Sequence, residues 1–393
     1  MFSIHDPDIL GALDALNEDE SWVPQLIGFE RGTNQMADVI FQSADGADLN
    51  RMWREFNRAL DIFNRERDPL LNMLTFDVTN PAERVLQPST EDFEEATEFG
   101  EPKGIRIGKP FNLGYSFKWY DIAIRYTWQY LLEAKRDALQ ALNRTALDGG
   151  RRLYFSRVFR RIFNNVNETA TIDEQSVNVY TLYNADGTVP PAYENNTFNG
   201  SHTHFLTSGA ATLDPGDLAT LEDDLASHGY RFDLGYELVL VVNKQEGSVI
   251  RTFVAGQGTP ASRYTFIHNP ANRPGGVILP MNGGIIGTPE GSLPQQIGTW
   301  GPFKVVEMSL VPAGYMFAFA TGGEQNLGNL VGIRQHENPA GRGLRLVQGP
   351  NPNYPLTDSF YSFGFGTGVR HRGGGIVMQV TASGSYTIPA LYA

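Results

Sequence analysis

Phe111-Asn112-Leu113-Gly114-Tyr115-Ser116-Phe117-Lys118-Trp119 sets five apolar side chains against four polar or small ones at a period of two. That alternation is the pattern of a β-strand with one apolar face. Upstream, Leu74, Phe76 and Val78 alternate in the same way with Thr75, Asp77 and Thr79. The stretch from Leu70 to Ile122 therefore reads as a long two-stranded excursion with limbs Leu70–Thr79 and Phe111–Ile122. Its polar tip carries Glu91, Asp92, Glu94, Glu95, Glu98 and Glu101. Two strands alone are marginal in water. The excursion is expected to lie on something else, and an adjacent copy of the same chain would serve.

Helical periods flank the ribbon. From Asp48 to Arg67, Leu49, Met52, Trp53, Phe56, Ala59, Leu60 and Phe63 form one apolar stripe that Asp68-Pro69 ends. From Ile124 to Asn165, Trp128, Leu131, Leu132, Ala138, Leu139, Leu142 and Ala146 make a second stripe, followed by Phe155, Val158, Phe159, Ile162 and Phe163. Asp148-Gly149-Gly150 is expected to break or kink this long helix and to act as a hinge, as is the ribbon base. Its later part carries Arg151, Arg152, Arg157, Arg160 and Arg161 with no acid among them. The carboxyl half is mostly strand and loop. A short helix spans Asp214 to His228, and strands are predicted at Leu238–Val242, Lys304–Leu310, Tyr315–Ala320 and within Asp358–Ile388. The stretch from Gly256 to Pro302, full of Gly and Pro, shows no period and reads as a long loop.

Composition narrows the classes. The 393 residues are 41% hydrophobic and 19% charged, enough for a sizeable core. There are no cysteines, which excludes disulfides, thiolate metal sites and Cys nucleophiles. Strength must come from packing, interfaces or another kind of link. The net charge of −13 argues against nucleic-acid binding through the bulk field, because phosphate contacts need clustered Lys and Arg. It suits a lining that does not adhere to enclosed DNA, and it equally suits plain solubility. No apolar run is long enough for a membrane span, and Met1-Phe2-Ser3-Ile4-His5-Asp6 does not begin a secretory signal.

The order of parts resembles the Hong Kong 97-type major capsid proteins of tailed phages. The resemblance rests on the limbs Leu70–Thr79 and Phe111–Ile122, the helix from Ile124, and the segment Leu213 to Val242. Its ending is carried by Asp358-Ser359-Phe360, Gly368-Val369-Arg370-His371-Arg372 and Ile376-Val377-Met378-Gln379-Val380. The resemblance implies an α+β fold with an N-arm and amphipathic helix over 1–69, an E-loop hairpin over 70–122, and a peripheral domain with a spine helix over 123–212. An axial domain over 213–356 and terminal strands over 357–393 complete it. It implies a subunit that assembles with itself in hexamers and pentamers into an icosahedral shell around double-stranded DNA, without catalysis or cofactor. Partners would include a portal and, for some relatives, a decoration protein. The stretch before Asp48 has no room for a built-in scaffolding segment, so a separate scaffolding protein is expected. Assembly would take place in the host bacterial cytoplasm.

The residues expected at subunit contacts are Glu91, Glu94 and Glu95 of the tip, Phe117 and Trp119 of the return limb, Arg151, Arg157 and Arg160 of the helix, and Arg370 and Arg372 near the end. The acidic tip would meet the basic helix of a neighbour; alternatively the tip is solvated and the arginines serve their own subunit. Some relatives carry a Lys–Asn isopeptide link, for which Lys103, Lys109, Asn351 and Asn353 are the candidates. An encapsulin-like compartment shell and a β-rich carbohydrate-binding module or hydrolase, with Phe111–Trp119 lining its groove, remain as other readings.

Chemical motifs are sparse. His202-Thr203-His204 puts two imidazoles on one strand face, but no third ligand lies nearby in sequence, so polar surface is the simpler reading. Gly364-x-Gly366-x-Gly368 does not lead from a strand into a helix and fails the dinucleotide pattern. Neither a GxxxxGK[ST] loop, an HExxH helix nor a GxSxG elbow is present.

Overall fold

A computed structural model describes residues 43–65, 67–85, 95, 100, 111–123, 128–172, 174–269, 295–347 and 360–393. In chain order the first elements are α1 (Leu49–Arg65), α2 (Pro69–Leu74), β1 (Thr75–Val78), β2 (Ala82–Val85), β3 (Phe111–Gly114), β4 (Lys118–Ala123), α3 (Trp128–Glu133) and α4 (Arg136–Phe163). Next come β5 (Glu168–Ile172), β6 (Gln175–Val179), β7 (Phe205–Thr207), α5 (Pro215–Ser227), β8 (Glu237–Val242), α6 (Lys244–Ile250), β9 (Ile267–His268) and β10 (Gln295–Trp300). The last are β11 (Phe303–Glu307), β12 (Tyr315–Thr321), β13 (Val331–Gln335), β14 (Leu344–Val347), β15 (Phe360–Val369) and β16 (Gly375–Gln379). The elements divide between two compact units. One draws on the chain up to Arg65, on Tyr120–Gly149 and on Leu344–Ser362; the other on Glu66–Trp119, Gly150–Gly343 and Phe363–Ala393.

The smaller unit is organised by the α1 stripe. Leu49, Met52 and Phe56 bury against Ala134 and Leu139, with Trp53 and Leu346 packed alongside. Arg136 gives its backbone N–H to both carboxylate oxygens of Asp45 at 3.2 Å and its guanidinium to Glu55 at 2.9 Å. Asp45 thus caps α4 from far away in sequence, next to the interruption at Ala134-Lys135 that separates α3 from α4. The expected break at Asp148-Gly149-Gly150 does not occur: α4 runs on through both glycines. Glycine adopts helical backbone angles without strain and costs only about 1 kcal/mol relative to alanine in a helix interior, which a long packed helix absorbs. Asn143, buried on this helix, accepts a hydrogen bond from the Tyr361 hydroxyl.

The larger unit is built on a seven-stranded sheet of order β7-β16-β12-β8-β11-β10-β9. Its centre is Glu237-Leu238-Val239-Leu240-Val241-Val242, buried throughout, parallel to β11 and antiparallel to β12. A strand covered on both faces loses the polar half of its alternation, which is why it appears in sequence as a run. Side chains of alternate parity face opposite layers. Leu238, Leu240, Val242, Met316 and Ala318 pack with Leu218, Leu221 and Leu225 of α5. On the opposite parity, Phe317 meets Phe163 of α4, which stacks on Tyr392 at 5.4 Å. The start of α5 is fixed locally. The Asp214 carboxylate accepts from the backbone of Gly216 and Asp217, Asp217 accepts from the Asp214 N–H, and Pro215 occupies the first helical position.

The ribbon differs from its sequence reading at the outgoing limb. Leu70–Leu74 lies in a helix, because Asp68 caps the Leu70 N–H at 3.0 Å and Pro69 opens α2. Asp68-Pro69 is thus a start signal as well as a stop. Strand β1 pairs in parallel with β13, Thr75 opposite Val331, and not with the return limb. The pairing partner of β3 is β2, Ala82 opposite Gly114 and Val85 opposite Phe111. Most of the tip, with Lys103 and Lys109, lies outside the described residues, as do Asn351 and Asn353.

Candidate subunit interface

The return limb is held first by its own chain. After β3 the backbone crosses β13 and β15, and four glycines make the crossing possible. A Cβ on Gly366 would overlap the carbonyl oxygen of Ser116; one on Gly368 would come within 2.7 Å of the Tyr115 ring and 2.8 Å of the Gly114 oxygen. A Cβ on Gly332 would overlap the Tyr115 ring, and one on Gly364 would stand 2.5 Å from the indole of Trp119. Gly364, Gly366 and Gly368 share one face of β15 at the strand period, so together they form a smooth trough. The Gly-x-Gly-x-Gly pattern that fails as a phosphate loop is a seat for backbone. Alternating with the glycines, Phe363 and Phe365 face the other way and meet Tyr154 of α4 at 6.0 and 5.1 Å. The seat is locked by Ser116, whose backbone N–H and hydroxyl both donate to the Thr367 oxygen at 3.2 and 3.0 Å.

Leu113 and Tyr115 are consequently buried with Phe76 and Val78 in a cluster of the same chain. This corrects the expectation that the apolar side of Phe111–Trp119 finds its cover only on another copy. What stays open is the far end. Trp119 is 55% exposed, edge-on to Phe117 at 5.4 Å, and His336 lies within 5.9 Å of both rings. Arg334 stands over the Phe117 ring at 5.3 Å. Sequence reasoning named Phe117 and Trp119; it missed His336 and Arg334, because only the β13 register brings them alongside.

The basic helix face is divided. Arg161 is buried, 6% exposed, and pairs with Glu168 at 2.7 Å. Burial alone would raise the Glu168 carboxyl, but Arg161 outweighs it and holds the carboxyl below its usual range. Arg151, Arg157 and Arg160 are half-buried. Of their expected acidic partners, Glu95 is exposed, and Glu91 and Glu94 lie outside the described residues.

Arg370 and Arg372 serve their own fold. Arg372 is 3% exposed; it donates to the carbonyls of Thr181 and Leu182 and to the Asp186 carboxylate at 2.8 Å. Burial would raise the Asp186 carboxyl, but Arg372 together with hydrogen bonds from Thr188 holds it below its usual range. Arg370 pairs with Glu83 at the ribbon base at 3.2 Å and lies over the Phe76 ring at 5.5 Å. Both expected contact residues are thus paired inside the chain, Arg372 buried and Arg370 half-buried.

The two imidazoles of His202-Thr203-His204 do share a face, and a third joins them. His228, at the end of α5, places its Nε2 2.9 Å from the Nε2 of each. His202 and His204 are themselves 2.9 Å apart through Nε2. No local sequence signal points to this partner, since it is the fold of α5 against the sheet that delivers it.

No protein-family profile and no curated protein matches the chain. Among solved structures, a chain of Mycobacterium phage Patience is 38% identical, covers 90% of this chain and 94% of its own, and superposes with a TM-score of 0.69. The capsid of an empty GTA particle matches at 15% identity over 80% of this chain and 91% of its own, TM-score 0.43. The holo-SrpI encapsulin complex of Synechococcus elongatus matches at 13% over 81% and 89%, TM-score 0.43. The chain belongs to the Hong Kong 97-type major capsid proteins of tailed phages. It is a shell subunit of the virion capsid that assembles with its own copies.

Proposed function

We propose that copies of this chain, arranged in hexamers and pentamers, close into an icosahedral container for double-stranded DNA, and that exposed Trp119, with half-buried Phe117 and His336 beside it, is where the base of one ribbon is covered by the next copy. The observation that carries this reading is Trp119 itself: a large ring left 55% exposed beside another aromatic, on a strand already anchored by its own chain. A large apolar ring left in water beside other rings is the kind of surface that association covers. The tip acids Glu91, Glu94 and Glu95 reach Arg151, Arg157 and Arg160 of the neighbour in this arrangement. The chain performs no chemistry, its acidic surface keeps packaged DNA from adhering, and it is assembled in the host cytoplasm with a scaffolding protein, a portal and a possible decoration protein. The 38% identical relative is a phage chain, which favours a genome container over a cargo compartment.

Phe117→Ser with Trp119→Ser tests this. Truncating a buried aromatic at an interface costs about 2 kcal/mol or more per contact, and a closed shell repeats that loss at every copy. The double variant is expected to remain a folded subunit by circular dichroism while shells vanish from sedimentation and electron micrographs. Shells at wild-type yield would overturn the proposal.

A further inference from the structure

The geometry points to a metal site: we propose that His202, His204 and His228 together bind one divalent transition-metal ion, zinc in the first instance, as a structural clip. The three Nε2 atoms form a triangle with sides of 2.9 Å. A point about 1.2 Å off the plane of that triangle lies about 2.05 Å from all three, the usual Zn–N distance. The angles between ligands there would be about 90°, and an outward move of each ring by a few tenths of an ångström opens them toward the tetrahedral value, leaving the fourth position for water.

Hydrogen bonding alone does not account for the triangle. The Nδ1 of His204 lies 2.7 Å from the carbonyl oxygen of Gly375, so that nitrogen carries the proton and the neutral ring presents a bare lone pair at Nε2. Of the other two rings, a proton on one Nε2 leaves the third side of the triangle between two lone pairs, and protons on both leave it between two N–H groups. No tautomer set satisfies all three sides, whereas one cation satisfies all three lone pairs. The Gly375 carbonyl is the outer partner that fixes ring orientation in metal-bound histidines.

The surroundings are those of a prepared site. His204 is fully buried and its backbone is tied to Tyr183 and Val377 at 2.7 and 2.9 Å. Phe198 stacks on His228 at 4.1 Å and Tyr183 lies parallel to the same ring at 6.0 Å. A Cβ on Gly373 would stand 3.3 Å from the His228 ring, so the Gly373-Gly374-Gly375 turn leaves room for the rings and supplies the carbonyl. The nearby cation, Arg372, is neutralised by Asp186. Burial holds all three imidazoles in the neutral form that ligates, His228 down to about 3 with His202 adding to the effect. With Asp186 engaged by Arg372, no carboxylate among the described residues joins the cluster as a general base, which favours a structural role. The clip would join the 202–204 segment, the end of α5 and the start of β16 in a chain that has no cysteine.

The test uses the full-length chain as purified particles, dialysed against micromolar zinc and then against metal-free buffer. The expected content is about one zinc per chain by elemental analysis, falling below about a tenth of that in His202→Asn/His228→Asn. Cobalt substituted for zinc should give the visible absorption of nitrogen-ligated Co²⁺, lost when zinc is added back. Thermal unfolding of the wild type should shift upward with zinc and return with a chelator, and the double variant should not respond. Trace metal in the wild type, no cobalt spectrum, or unchanged content in the double variant each overturns the proposal. The cobalt titration of the wild type decides the matter even where the variant fails to fold. Micrographs of the same particles report assembly separately, so loss of the metal site and loss of the container reading are distinguishable.

Discussion

Glycines at two places in this chain look alike in sequence and do opposite things. Gly149 sits inside α4, where a Cβ would meet nothing within 4 Å. Gly366 sits in β15, where a Cβ would overlap a backbone carbonyl. The first is a local weakness that tertiary packing overrides; the second is a close approach that nothing else in the alphabet permits. Local punctuation rules describe what glycine allows the backbone to do. They say nothing about what has come to lie against it, and that distinction separates a replaceable residue from an irreplaceable one.

The largest effect should come from Gly366→Ala. Its new methyl would strike Ser116, which cannot retreat because its N–H and hydroxyl are bonded to the Thr367 oxygen and its hydroxyl also accepts the Thr367 N–H at 3.2 Å. The expected loss is about 4 kcal/mol or more, in the range reserved for severe core disruption. Urea unfolding of the soluble subunit measures it, and a loss below about 1 kcal/mol would show that the trough is not seated as described. Gly364→Ala should cost less, about 1–2 kcal/mol, because the obstacle is the half-exposed Trp119 ring, which can swing away. In a Trp119→Ala background that cost should disappear, and the double-mutant cycle gives the coupling directly. Additive effects would mean that the two residues do not meet.

Much of the fold was legible because period and burial agree. The α1 stripe, the β8 run and the capped start of α5 each carry their own explanation in adjacent residues. The α2 helix escapes a reading by period because Asp68-Pro69, a stop for α1, is also the start of the next helix. The pairing of β1 with β13 was illegible because the partner lies more than half the chain away and parallel pairing leaves no turn signal between the strands. For the site, Phe117 and Trp119 stood out as aromatics on an alternating strand, whereas Arg370 and Arg372 could not be told from surface charge until Glu83 and Asp186 were seen beside them. The histidine cluster was half legible. His202 and His204 share parity, but His228 enters from the end of a helix whose own periodicity is wholly explained by Leu218, Leu221 and Leu225.

The smallest effect has the opposite sign. Gly149→Ala should stabilise the isolated subunit by about 0.5–1 kcal/mol, because alanine restricts the unfolded chain and favours the helix, and the methyl meets no obstacle. Denaturant midpoints of the two subunits measure this, and destabilisation would mean that the helix does not continue through Asp148-Gly149. The division of the chain into compact units also falls between Gly149 and Gly150, the place where the sequence suggested a hinge. A continuous helix in one subunit leaves open a bend at this point in some copies of a shell. Comparing subunit stability with shell yield in the same variant separates the two cases. If the helix stays unbroken in every copy, both rise together; if some copies bend at this point, the subunit gains while closed shells become scarcer, because alanine resists the bend that glycine accepts.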